Sequence, residues 1–365
     1  MSSIDQFSVL ETRLLRENHS FHPELDFMRA AAVLMVVFDH TALAIHREMT
    51  FGFPAGWLGL IGVWIFFVHT TLVLMWSLER KPYTLDFYIR RAFRIYPLAI
   101  AAILLATLTH APLTGSNGIF FQYHRITFAN FIAASGLVYN LLPQHFHFTP
   151  IVNVVWTLPL EADMYILLPG LFAFASRNRA RWPLLLVWML ACAVAAPSVP
   201  ANGLNFLTAI PCFIPGVMAY VGYKSARPFI PAWFFPPFLF AMVASLLLWP
   251  SIPAGWMFSL ILGLMLPYFR RFAPSVFTRA SHQIAKYSYG IYLSHPFGLV
   301  LGCYLLRGRP LALQLSVEIL TIAVVSVAGY HLLEAPMIRL GSLLAARLER
   351  RATMSPDRAL DRRLA

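Results

Sequence analysis

Charge is what this 365-residue chain has least of. Asp, Glu, Lys and Arg make up 12% of it, about half the ~25% of a typical soluble domain. A water-soluble protein cannot cover its surface with so few charges, which excludes an ordinary cytosolic enzyme, a secreted disulfide domain and a disordered chain. Cysteine is scarce as well. The three present, Cys192, Cys212 and Cys303, all fall in apolar runs; no CxxC pair or disulfide framework exists, and they read as packing residues. There is no HExxH motif and no acid-rich ligand set beside the histidines. No secretory signal peptide is expected, because Met1–Glu24 is polar and no small-residue cleavage site follows the first apolar run.

What the chain has instead is apolar length. AVILMFWYC residues are 59% of it, with 30 Phe, 14 Tyr and 9 Trp. Crossing a ~30 Å hydrocarbon core takes about 20 mostly apolar residues. Such stretches lie near Phe27–Ile45, Gly56–Leu78, Phe93–Thr109, Trp156–Ala175, Leu184–Val199, Phe206–Tyr223, Ala232–Trp249, Ile252–Tyr268, Tyr287–Leu306 and Leu315–Leu333. An eleventh, Phe128–Leu142, is shorter and carries Asn130 and Asn140. The expectation is an all-α, polytopic integral membrane protein of about ten transmembrane helices. It divides into an N-terminal segment (1–24), a transmembrane domain (25–340) and a basic tail (341–365).

The formal net charge of +12 first suggests a polyanion partner. Placement gives a plainer reading. With ten spans, both termini cytoplasmic and 128–142 not crossing, 24 of the 28 Lys and Arg fall on the cytoplasmic side, as the positive-inside rule requires. Only Arg47, Arg125, Arg307 and Arg309 lie outside. The charge is therefore mostly a topology signal plus a basic tail that can touch anionic lipid, and nucleic acid is not expected as a partner.

Polar groups inside apolar spans are costly and point to function. Arg29 and His40 are eleven residues apart, which on a helix is a rise of about 16 Å and a rotation of only ~20°. One face of the first span thus carries a cation near its mouth and an imidazole near mid-membrane. Asp39 points well round the helix. In Phe87–Pro97, Arg91 and Arg94 share a face; two guanidiniums so placed suit a phosphorylated ligand, although an isolated RxxR is more often a membrane anchor. Glu161 and Asp163 enter the fourth span two residues apart and face different directions. Glu161 could orient His40 or bind a hydroxyl, and a helix-stitching ion pair is an equal reading. Ser288, Tyr292 and His295 share a face of the ninth span at i, i+4 and i+7; taken singly, each reads first as helix packing.

Five motifs recur here in order: Arg-x10-His, FYxRRxxRIYP, WTLxxExxxY, YSYGIYLSHP and a terminal Glu334-Ala335-Pro336. Together they resemble the acyltransferase-3 family of bacterial membrane O-acyltransferases, from about Leu25 to Pro336. The resemblance implies an inner-membrane enzyme that binds acyl-CoA, usually acetyl-CoA, as co-substrate from the cytoplasm, with no bound cofactor and no metal. It also implies that the acyl group passes to a hydroxyl of a cell-surface or exported carbohydrate or glycolipid. Residue by residue, His40 matches the family's essential histidine, Arg29 its partner, Arg91 and Arg94 the pair expected near the CoA phosphates, and Glu161 the motif carboxylate. Catalysis is therefore expected from His40 and Glu161 and acyl-CoA binding from Arg29, Arg91 and Arg94, with His69, Tyr292 and His295 as acceptor contacts or supports. A neutral His40 would take the acceptor's proton, and direct transfer and an acyl-imidazole intermediate both stay open. The second span departs from the family pattern: Thr70 and Thr71 stand where Ser-Gly is usual, and His69 adds an imidazole.

Two other classes compete. A secondary transporter would often show two matching halves, and none is evident between 1–176 and 177–339. A metalloenzyme would have to use His110, His124, His145 and His147 of the outer segment, which read more simply as solvated loop residues.

Overall fold

A computed structural model describes residues 22–45, 49–50, 53–54, 56–113, 127–138, 151–178, 180–199 and 205–353. They form twelve α-helices: α1 (Pro23–Ala44), α2 (Trp57–Arg80), α3 (Thr84–Thr109), α4 (Phe128–Ser135), α5 (Thr157–Arg177), α6 (Trp182–Ala195), α7 (Phe206–Ser225), α8 (Phe235–Leu248), α9 (Ile252–Met265), α10 (Val276–Leu299), α11 (Leu311–Gly329) and α12 (Ala335–Thr353). A two-residue strand pair, Met49–Thr50 with Phe53–Pro54, turns the chain between α1 and α2. Among the described residues six helical stretches are long and apolar enough to cross a membrane, and three shorter apolar ones accompany them. The protein is an all-α polytopic membrane protein, as its apolar runs require: backbone polar groups in lipid must be satisfied within the segment.

Every one of the ten expected apolar stretches lies on helix. The described part of the eleventh is short. α4 has eight residues, about 12 Å of rise, and docks on α3, where Tyr96 Oη donates to the Gly136 carbonyl at 3.2 Å. Residues 139–142 of that stretch lie outside the described set. The boundary expected at 340/341 falls inside α12.

The centre of the bundle is α2, packed against α1 and α7, with α10 on the other side of α1 and α9 beyond α7. Small residues allow the close approaches. A Cβ at Gly62 would sit 2.6 Å from the Ala32 carbonyl oxygen, and one at Gly216 would sit 2.5 Å from that of Val68. Such small-residue contacts are how helices pack in lipid, where burial of apolar surface gains little. The rings of Phe67 and Phe213 stack at 4.1 Å across the α2–α7 contact.

Asp39 explains how α2 begins. It is buried, and its Oδ1 accepts the Gly56 backbone N–H at 2.6 Å, so a carboxylate stands at a helix N-terminus, where the dipole favours it. Two interruptions matter for function. The α-helical pattern widens to π at Val300–Tyr304, just past His295, and at Tyr330–Glu334 between α11 and α12. π turns of this kind concentrate at functional sites.

Candidate active site

A cavity of about 390 Å³ opens at one end of the bundle, walled by α1, α2, α3, α5, α10 and α12. Its size falls within the ~300–1,000 Å³ of small-molecule sites. Arg29 reaches it from α1, and Arg90, Arg91 and Arg94 from the first turns of α3. Opposite stand His69 and Thr70 of α2, Glu161 and Tyr165 of α5, and Ser288, Tyr289 and Tyr292 of α10. Ile338 and Ser342 of α12 close one side.

The four arginines are held differently. Arg90 is occupied: its Nε and Nη2 donate to Asp86 at 2.6 and 3.1 Å, and its Nη1 donates to Ser342 Oγ at 3.1 Å. Arg94 pairs with Glu334 at 3.4 Å, a carboxylate with no exposure, delivered by the second π turn. The Nε atoms of Arg29 and Arg91 are buried and find no hydrogen-bond partner among the described residues. A buried polar group without a partner costs about 1–3 kcal/mol. Two buried guanidinium nitrogens left open in one cavity, beside a third arginine, are a site prepared for an anion.

On the facing wall, Tyr165 Oη donates to Glu161 Oε2 at 3.0 Å across one helical turn. Glu161 therefore points into the cavity. Asp163, two residues on, is buried and lies outside its lining. Deeper in, the Tyr292 hydroxyl meets Thr157 Oγ1 at 2.7 Å and donates to the Val154 carbonyl. This anchors α10 to the segment entering α5.

His40 is not on the cavity wall. It lies beyond Tyr292, with Nδ1 2.8 Å from Nε2 of His295, and the His295 ring is 5.9 Å from that of Tyr292. His295 is fully buried. The structure thus brings Arg29, Arg91, Arg94, Glu161, His69 and Tyr292 to one cavity and sets a His40–His295 pair next to Tyr292 of its lining. Reasoning from the sequence missed Ser342, Ile338 and the Arg94–Glu334 contact. A signal existed for the last: Glu334 is an acidic residue ending an apolar span, where an isolated charge needs a partner.

Cys212 and Cys303 are buried, Cys192 is partly so, and none forms a disulfide. Of the four outer-segment histidines, His110 ends α3 in a left-handed conformation, while His124, His145 and His147 lie outside the described residues. Among the described residues no three His, Cys, Asp or Glu side chains cluster so as to hold a metal.

The family model described as an acyltransferase domain matches residues 22–332, most of the chain, and the protein belongs to this acyltransferase-3 family of membrane O-acyltransferases. No curated protein and no solved structure matches it. The family match ends three residues before α12 begins, yet Ile338 and Ser342 of α12 contribute to the cavity.

Proposed function

We propose that the protein transfers an acyl group, acetyl in the first instance, from cytoplasmic acyl-CoA to a hydroxyl of an exported or cell-surface carbohydrate. The observation that carries this reading is the pair of unpartnered buried Nε atoms on Arg29 and Arg91, beside Arg94, in one cavity. Phosphates are the natural occupants of such a site, because guanidinium binds them bidentately, and coenzyme A supplies them at one end of a long thin arm. Held there, the donor extends its pantetheine arm past Tyr292 towards His40.

The chemistry at that point is modest. The acceptor hydroxyl oxygen attacks the thioester carbonyl carbon as His40 takes the hydroxyl proton. The C–S bond then breaks, the ester forms, and the CoA thiolate leaves with the proton that His40 returns. A thiolate leaves readily, so catalysis rests on the base and on positioning. Glu161, held by Tyr165, gives the cavity a carboxylate that offsets part of its positive charge. Because only the acyl group moves past His40, both polar substrates stay on their own sides of the membrane, the inner one in the bacterial case.

The test uses purified protein, acetyl-CoA labelled in the acetyl group, and envelope polysaccharide stripped of its esters with mild alkali. Alkali-labile label on the polysaccharide, with equal release of CoA, is the expected result. Unreacted donor accumulating across a vesicle membrane without CoA release would overturn the reading in favour of transport.

A further inference from the structure

The π turn at Tyr330–Glu334 points two ways. Glu334 turns to the arginine cavity and pairs with Arg94. Tyr330 and His331 turn instead to α10, where they meet Lys286 and Tyr287. The Tyr287 and Tyr330 rings lie edge to face at 5.2 Å, and the His331 ring is 5.1 Å from that of Tyr330 and 6.0 Å from that of Tyr287. The half-buried Lys286 ammonium sits 5.0 Å from the centroids of both tyrosines, within cation–π range. None of the four lines the cavity.

Sequence sets their depth in the bilayer. Lys286 and Tyr287 open one apolar stretch, and Tyr330 and His331 close the next, so both pairs stand at one edge of the hydrocarbon. Leu332 beside them is 79% exposed and faces lipid. An aromatic belt accounts for tyrosines at such an edge. It does not account for a lysine held between them.

The cluster offers donors and no negative charge. Lys286 has three N–H donors and makes no salt bridge among the described residues. Tyr287 Oη and His331 Nε2 are 3.2 Å apart. If the phenol donates, the other ring nitrogen keeps a proton; if the imidazole donates, the phenol keeps its own. Either way the pair retains a donor for a third group, and Tyr330 adds a hydroxyl. The matching ligand is an anion rich in acceptor oxygens and resident at the membrane surface.

We propose that Lys286, Tyr287, Tyr330 and His331 bind the phosphate of an anionic phospholipid. Phosphatidylcholine has the same phosphate, but its choline ammonium cancels the charge and repels Lys286. The bound lipid holds one side of the turn whose other side carries Glu334 to Arg94. The site does not depend on what the cavity binds.

The test follows thermal unfolding of the full-length protein in neutral detergent as phosphatidylglycerol, phosphatidylcholine or inorganic phosphate is added. A ligand that binds the folded state raises the melting temperature with its concentration, which yields an apparent Kd. Wild type is expected to bind phosphatidylglycerol about tenfold or more tightly than phosphatidylcholine. Lys286→Gln should weaken phosphatidylglycerol binding by about 10- to 150-fold, the worth of a hydrogen bond to a charged group, and Lys286→Arg should restore it. Tyr330→Phe, which removes only a hydroxyl, should weaken it by about 2- to 10-fold and serves if the lysine variant does not fold. Arg347→Gln, at an exposed arginine of α12 outside the cluster, should bind as wild type does. Equal Kd values for the two lipids in wild type, or a phosphatidylglycerol Kd unmoved by Lys286→Gln, would overturn the proposal. A matching loss in Arg347→Gln would do the same, since charge alone would then explain the binding. Inorganic phosphate that stabilises wild type as well as the lipid does, and loses that effect in Lys286→Gln, would make the ligand a soluble anion and overturn it too.

Discussion

Arg91 offers the sharpest handle on the donor site, because its Nε is buried with no partner among the described residues. Removing it breaks no hydrogen bond through that atom, and the repulsion it relieves from Arg90 and Arg94 is offset by the attraction it loses to Glu161 and Tyr165. Arg91→Ala should therefore leave thermal stability nearly unchanged. Its effect should appear only when a phosphate is present. A hydrogen bond to a charged group contributes about 1.5–3 kcal/mol, and ~1.4 kcal/mol corresponds to a factor of ten. The expected loss in kcat/KM for acetyl-CoA is then about 10- to 150-fold, expressed mainly in KM. The assay pairs acetyl-CoA with acetyl-pantetheine, which has the same thioester and no phosphate, in wild type and in Arg91→Ala. Wild type should favour acetyl-CoA, and the variant should lose that preference with little change towards acetyl-pantetheine. An equal loss with both donors would refute the reasoning, since Arg91 would then act on the arm or on the fold rather than on phosphate.

Two further outcomes follow from the same geometry. Ser342→Trp, on the wall that α12 supplies, should raise the acetyl-CoA KM with kcat kept, as read from steady-state kinetics; an unchanged KM would remove α12 from the donor site. Asp39→Ala should cost about 0.3–2 kcal/mol, the range for a charge placed at a helix N-terminus. That cost should appear as a lower melting temperature with donor KM unchanged, because Asp39 holds the start of α2 and lies off the cavity.

The fold was legible because lipid leaves few choices. A run of apolar residues long enough to cross must be helical, and ten such runs proved to be helix. At the site, faces were legible and partners were not. The three-residue spacing of Arg91 and Arg94 puts both on one wall. Spacing along a single helix also grouped Ser288, Tyr292 and His295, but only the first two line the cavity. His295 turns instead to His40, 255 positions away in sequence. No periodicity within one helix reports a contact between two. Residues 341–353 read as the start of a basic tail because their charge dominates the pattern. In the fold they continue α12, where a Cβ at Gly341 would meet Phe93 of α3 at 2.5 Å and Ser342 meets Arg90. Asp39 drew notice beside His40, yet its partner is a backbone N–H at the turn into the next helix, which composition does not reveal.

The central claim is that the donor's phosphates stay at the arginine cavity while the acyl group alone passes His40 to an acceptor on the far side. Proteoliposomes test it most directly, with alkali-treated envelope polysaccharide trapped inside and acetyl-labelled acetyl-CoA outside. The arginine cavity should face outward in the population measured. The account predicts labelled ester on the trapped polysaccharide, CoA remaining outside, and loss of the signal in His40→Ala. Labelled acetyl-CoA appearing inside, or ester formation undiminished in His40→Ala, would contradict it.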